Sequence, residues 1–140
     1  MTVVDTNILV YVTDQASRLL GRATTALRDL GRRDTIFVIR QTLRQYLAVM
    51  TRPQPTRQPF ALREALDALD RLTRYVDILE DAAELWDVLR SLSSTHAFGS
   101  KQVHDANIVA TMLTCGETRL LTFNTKDFRR FEPLIEIITP

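Results

Sequence analysis

Short β-branched apolar runs alternate along this chain with longer segments whose apolar residues recur at helical spacing, and that alternation limits the available folds. The pattern predicts strands over 2–5, 35–39, 76–79, 120–123 and 135–139. It predicts helices over 7–14, 17–30, 40–51, 61–74, 81–92 and 103–115, and a short turn or helix over 126–131. Thr6 or Asn7 is the expected cap of the first helix, and Gly31 and Gly116 are the expected stops of the second and sixth. In the helix over 61–74, Leu62, Leu66, Leu69 and Leu72 are expected to face inward. The segment 93–102 is polar and carries Gly99, so it reads as a loop. The intervals between strands are long enough for crossovers, which predicts an α/β fold: a parallel sheet between two helical layers. With 140 residues, one domain spanning 1–140 and one core suffice.

Composition narrows the classes further. Hydrophobic residues make up 45% and charged residues 25%, as in an ordinary folded domain rather than a disordered one. No apolar run approaches the roughly 20 residues of a membrane helix. The first residues lack the basic and apolar regions of a secretion signal, and Cys115 has no partner for a disulfide, so the expected location is the cytoplasm. Net charge is only +1, but its distribution is uneven. Between Thr35 and Arg63 stand five arginines and no acid, whereas Asp77 to Asp87 holds five acids and no base. An acid-free basic stretch suits a polyanion.

Against that background, VVDTNILV is odd: Asp5 ends the first apolar strand, where an unpaired charge is costly. Two other acids fall at comparable places. Asp127 follows the strand over 120–123 in TFNTKDF, and Asp105 lies in the first turn of a helix in VHDANIVAT. Each has a simpler reading: a cap for Asp5, a dipole-favoured acid for Asp105, a turn residue for Asp127. Ligands of open parallel sheets bind beyond the carboxyl ends of the strands, so the fold can gather all three. Grouped carboxylates repel and raise one another's pKa, and a hard cation such as Mg²⁺ or Mn²⁺ offsets that repulsion.

VVDTNIL, HDANIVAT and LLTFNTKDF, in this order, resemble PIN domains, and more narrowly the VapC-type toxins of bacterial toxin–antitoxin pairs. The likeness runs over essentially the whole chain. It implies a compact α/β/α fold, a Mg²⁺- or Mn²⁺-dependent endoribonuclease activity on structured RNA, and a cognate VapB-like antitoxin that blocks the site. By position, Asp5, Asp105 and Asp127 match the family's first, third and fourth acids, as metal ligands. Asn7 matches the polar residue after the first acid, and Thr122 and Asn124 match polar residues near the fourth. With Thr6, these are expected to orient carboxylates and water. The second acid, usually a Glu upstream of Thr-Arg-Pro, falls on Gln45 in RQTLRQYLAVMTRP, which brings no charge.

Arg40 and Arg44 lie four apart on the same predicted helix as Gln45 and are expected to meet RNA phosphate or an acidic antitoxin tail, with Arg52 and Arg57 as weaker candidates beside the proline loop. The apolar faces over 7–30 and 40–74 are expected to receive an antitoxin helix or a second copy in a homodimer. His104 reads as a packing or capping residue. A phosphoryl-accepting α/β domain would want a second acid beside Asp5, and Thr6-Asn7 stands there instead. A dinucleotide-binding domain would want a glycine-rich turn after the first strand, which is absent. An RNA- or partner-binding domain with weak or no catalysis is the alternative that Gln45 raises.

Overall fold

The computed structural model describes residues 1–55 and 57–140. The chain runs β1 (Thr2–Val4), α1 (Thr6–Thr13), α2 (Leu20–Gly31), β2 (Ile36–Ile39), α3 (Arg40–Met50), α4 (Leu62–Leu72), β3 (Asp77–Leu79), α5 (Leu85–Thr95), α6 (Gln102–Thr114), β4 (Arg119–Leu121), α7 (Thr125–Phe128) and β5 (Glu136–Ile138). A 3₁₀ turn, Arg129–Phe131, follows α7. All pairings are parallel and the strand order is β3-β2-β1-β4-β5. The parallel α/β/α architecture is therefore the one the alternation predicts.

Side chains alternate across the strands, and so divide the core in two. Val3, Ile39 and Leu120 pack on one face with Ala106, Val109 and Met112 of α6, Leu92 of α5 and the rings of Phe128 and Phe131. Val4, Val38 and Leu121 pack on the other face with Ile8 and Leu9 of α1, Tyr46 and Met50 of α3, and Ala65 and Leu69 of α4. All three residues of β1 are buried, as suits the middle strand of a doubly covered sheet. Each aliphatic side chain so buried contributes about 1.5–3 kcal/mol.

From β1 the chain goes to β2 and β3 on one side, then crosses to β4 and β5 on the other. The switch in direction opens a crevice at the carboxyl ends of β1 and β4, where Asp5 and Thr122 emerge. Among the described residues no helix is long and apolar enough to cross a membrane.

Several local expectations are corrected. Asp5, not Thr6 or Asn7, takes the N-cap position of α1, and its side chain makes no cap hydrogen bond. Leu62 and Leu66 face outward, at 59% and 41% exposure. Ala65, Ala68 and Leu69 fill the inner face of α4, and Leu72 packs beside them as expected. The acids at 81 and 84 precede α5, which begins at Leu85 and continues through Ser93 and Ser94, so most of the expected loop is shorter than its polarity suggested. Gly116 does end α6, with a φ of +73° that only glycine adopts freely.

Candidate functional site

Asp5 is only 6% exposed, yet it is not left without partners. Its Oδ2 accepts hydrogen bonds from Thr122 Oγ1 at 2.7 Å and Asn7 Nδ2 at 2.6 Å. Asn7 Nδ2 also approaches Thr122 Oγ1 at 3.0 Å, and Asn7 Oδ1 accepts from the Phe123 backbone at 3.2 Å. The Asn124 backbone N–H closes the cluster on Thr122 Oγ1 at 2.9 Å. The start of α1 and the loop after β4 are thus joined around one carboxylate. Burial pushes the Asp5 carboxyl above its ordinary value, against the opposing pull of Thr122, the Thr6 backbone and Asn7.

Asp105 sits in the first turn of α6 and is half-buried. Its pKa is raised to about 7, by burial first and then by the charges of Asp127 and Asp5, with Arg130 opposing. Asp127 lies exposed on α7, its N–H bonded to the Asn124 carbonyl at 3.1 Å. The fold has brought the three sequence-distant acids close enough to act on one another's ionisation. Gln45 comes to the same place from α3, and its Oε1 accepts the Thr6 hydroxyl at 2.8 Å. These groups open into a cleft of about 1000 Å³. Among the described residues, no three His, Cys, Asp or Glu side chains stand in a ready set for one ion.

The sequence profile of the PIN domain matches residues 2–133. The chain belongs to the PIN domain family. No curated protein matches it at a significant level. Among solved structures, this PIN domain is similar to a chain of VapBC2 from Rickettsia felis bound to a promoter DNA fragment, at 18% identity and a TM-score of 0.71, over 99% of this chain and 97% of that one. It is similar to VapC20 of Mycobacterium tuberculosis, described as a sarcin–ricin loop cleaving toxin, at 16% identity and a TM-score of 0.71, over 92% and 94% of the two chains. A toxin–antitoxin complex from Klebsiella pneumoniae gives 18% identity and a TM-score of 0.71, over 100% and 98%. At these identities the likeness establishes the fold.

The basic residues of this PIN domain are not arranged as the helix periodicity suggested. Arg40 is turned away from the cleft into a two-pronged ion pair with Glu80, just past β3. Arg44 is exposed and does not line the cleft. Arg52 does line it, joined by Arg18 and by Lys101 and His104 at the start of α6. Arg57 reaches the cleft too, but as a structural clamp that is 7% exposed. It donates to the Met50 and Val49 carbonyls at 3.0 and 3.3 Å, stacks 5.3 Å from the Phe60 ring centroid, and places Nε 3.3 Å from Asp14 Oδ2.

Arg18 and Lys101 lie outside the acid-free basic stretch, in short polar segments, and only the crossovers bring them to the cleft. Gln41 and Asn107 were also missed: Asn107 Nδ2 donates to Gln41 Oε1 at 2.6 Å, linking α6 to α3 beside the site. No spacing in either helix signals that pair; the Thr111 hydroxyl bond to the Asn107 backbone carbonyl at 2.9 Å is an ordinary back-bond within α6.

Proposed function

We propose that this PIN domain is a divalent-metal-dependent endoribonuclease of the VapC type, restrained by a VapB-like antitoxin. The observation that carries the reading is the meeting of Asp5, Asp105 and Asp127 at the switch-point crevice, where two of the three carboxyls are pushed up in pKa. Such a surplus of negative charge fits a cation. The donors are carboxylate and amide oxygens, the set preferred by Mg²⁺ and Mn²⁺. The chemistry supplied by such an ion is activation of water and neutralisation of charge on the scissile phosphate.

The chain's own residues have separable tasks in this reading. Asn7 and Thr122 fix the rotamer of Asp5 by holding Oδ2. Thr6 fixes the amide of Gln45. Asn124 supplies backbone that orients Thr122. Arg52, Arg18 and Lys101, which all line the cleft, are the groups that would hold RNA phosphates in this reading. The VapB-like partner is supported by the antitoxin complexes among the structural neighbours. The apolar side chains left exposed on α4, Leu62 and Leu66, are available to that partner or to a second copy in a homodimer.

Gln45 favours a second reading, a domain that binds RNA with weak catalysis. It removes one formal negative charge from the family pattern, and its oxygen is already engaged by Thr6. RNA cleavage by the purified protein over a Mg²⁺ and Mn²⁺ titration, beside Asp5→Asn and Gln45→Glu, separates the two. Metal-dependent cleavage lost in Asp5→Asn supports the nuclease. Activity only in Gln45→Glu supports a switched-off nuclease. Silence in both, with folding intact, overturns the catalytic reading.

A further inference from the structure

Asp105 stands on a helical turn that its own sequence does little to fasten. Lys101 holds the cap position of α6 and makes no side-chain cap hydrogen bond. The turn leaves a loop in which Ser100 has a positive φ of 52°. It begins with tight bonds from Gln102, Val103 and His104 back to Gly99, Ser100 and Lys101, at 3.1, 3.2 and 3.1 Å.

The fastening comes from the neighbouring helix. Gln41, in the first turn of α3, is 8% exposed. Its Nε2 donates to the His104 carbonyl at 2.9 Å, and its Oε1 accepts from Asn107 Nδ2 at 2.6 Å. The two contacts straddle Asp105 in sequence and use both ends of one buried amide. Arg130 adds a tie on the loop side, donating to Gln102 Oε1 at 2.9 Å and to the Ala97 carbonyl at 2.8 Å. Gln45 lies one turn beyond Gln41 on α3. The same helix therefore holds the neutral wall of the cleft and the anchor of an opposing acid.

We propose that Gln41 is a positioning residue: its amide clamps residues 104 and 107 and thereby sets where the Asp105 carboxylate stands relative to Asp5 and Asp127. The inference rests on the reading that these acids act together, and its first test does not depend on that reading. Gln41→Met keeps the length of the side chain and removes both hydrogen bonds. In the metal-free protein, amide hydrogen exchange at Ala106, Asn107 and Ile108 rises at least about tenfold, while the amides of β1 and α1 keep wild-type rates. Directly measured Mn²⁺ binding weakens by about 10–100-fold, the range for loss of a group that orients a ligand.

Asn107→Ala removes one arm and gives a smaller change in both measurements. The double variant is scarcely worse than Gln41→Met alone, because both side chains belong to one clamp. Should Gln41→Met fail to fold, Asn107→Ala carries both measurements by itself. Unchanged exchange at the start of α6 overturns the proposal. So does faster exchange with Mn²⁺ affinity equal to wild type, which would make the clamp merely structural. A wild-type protein that binds no Mn²⁺ sinks the nuclease reading separately, and exchange alone then decides whether Gln41 places Asp105.

Discussion

Protons and metal should compete for Asp105 within the physiological pH range. Its carboxyl is held at about 7 by burial and by Asp127 and Asp5. A carboxylate must be ionised to attract a cation, so acidification weakens binding. With a pKa near 7, about one molecule in eleven is ionised at pH 6 and about ten in eleven at pH 8, which gives a roughly tenfold loss of apparent affinity between them. Mn²⁺ titration by calorimetry at pH 6, 7 and 8 measures this directly. At pH 7, repeating the titration in buffers of different ionisation enthalpy should show about half a proton released per ion. Asp105→Asn should bind more weakly throughout and lose most of the slope. Affinity that is flat from pH 6 to 8 in the wild type, or a slope that survives Asp105→Asn, refutes the reasoning.

The metal-free protein should be less stable at pH 8 than at pH 5. Asp105 is raised from 3.8 to about 7, so between those values the folded state holds more protons than the unfolded chain and stability falls as pH rises; the raised Asp5 carboxyl acts in the same direction. For Asp105 the full move from 3.8 to about 7 corresponds to about 4 kcal/mol; solvent at a half-exposed carboxyl screens this to roughly 1–2 kcal/mol, measurable by urea unfolding and reversed at pH 8 by Mn²⁺. Asp34 and Glu80, whose values are lowered by the N-terminal amine and Arg40 respectively, lose their stabilising effect only at more acid pH and leave this window intact. Asp5→Asn should raise the metal-free melting temperature while abolishing metal binding, since the amide retains an acceptor for Asn7 and removes a buried charge; a lower melting temperature contradicts this. Arg57→Leu should destabilise the fold by about 3 kcal/mol in chemical unfolding, because it removes the cation paired with the mostly buried Asp14 and the donor to the Val49 carbonyl at the end of α3.

Much of the architecture was readable because its signals are periodic. The β-branched runs marked all five strands, and the helical spacing between them required parallel crossovers. Asp5 stood out because a carboxylate at the end of a fully apolar strand has a solvation cost that demands an explanation. The face of α4 was half readable: Leu69 and Leu72 pack inward as the spacing predicts, but Ala65 and Ala68 complete that face while Leu62 and Leu66 stay exposed, which a count of hydrophobic residues could not foresee. Arg40 was misplaced for a related reason. Helix periodicity gives the face of an arginine but not its partner, and Glu80 arrives from the end of β3, in a different crossover. The Gln41–Asn107 pairing was invisible because amide pairs across helices leave no trace in either helix's pattern.

The central strand also orders events in time. Val3 and Val4 pair with Phe37 and Leu121 on their two sides, so β1 is enclosed only when the sequence-distant β4 has docked against it. During synthesis its second edge stays open until β4 leaves the ribosome, and Asp127 follows only after that. The acids of the cleft cannot meet on a partly made chain. The three acids therefore come together only once β4 and α7 have docked beside β1, so the site is the last part of the sheet edge to be assembled.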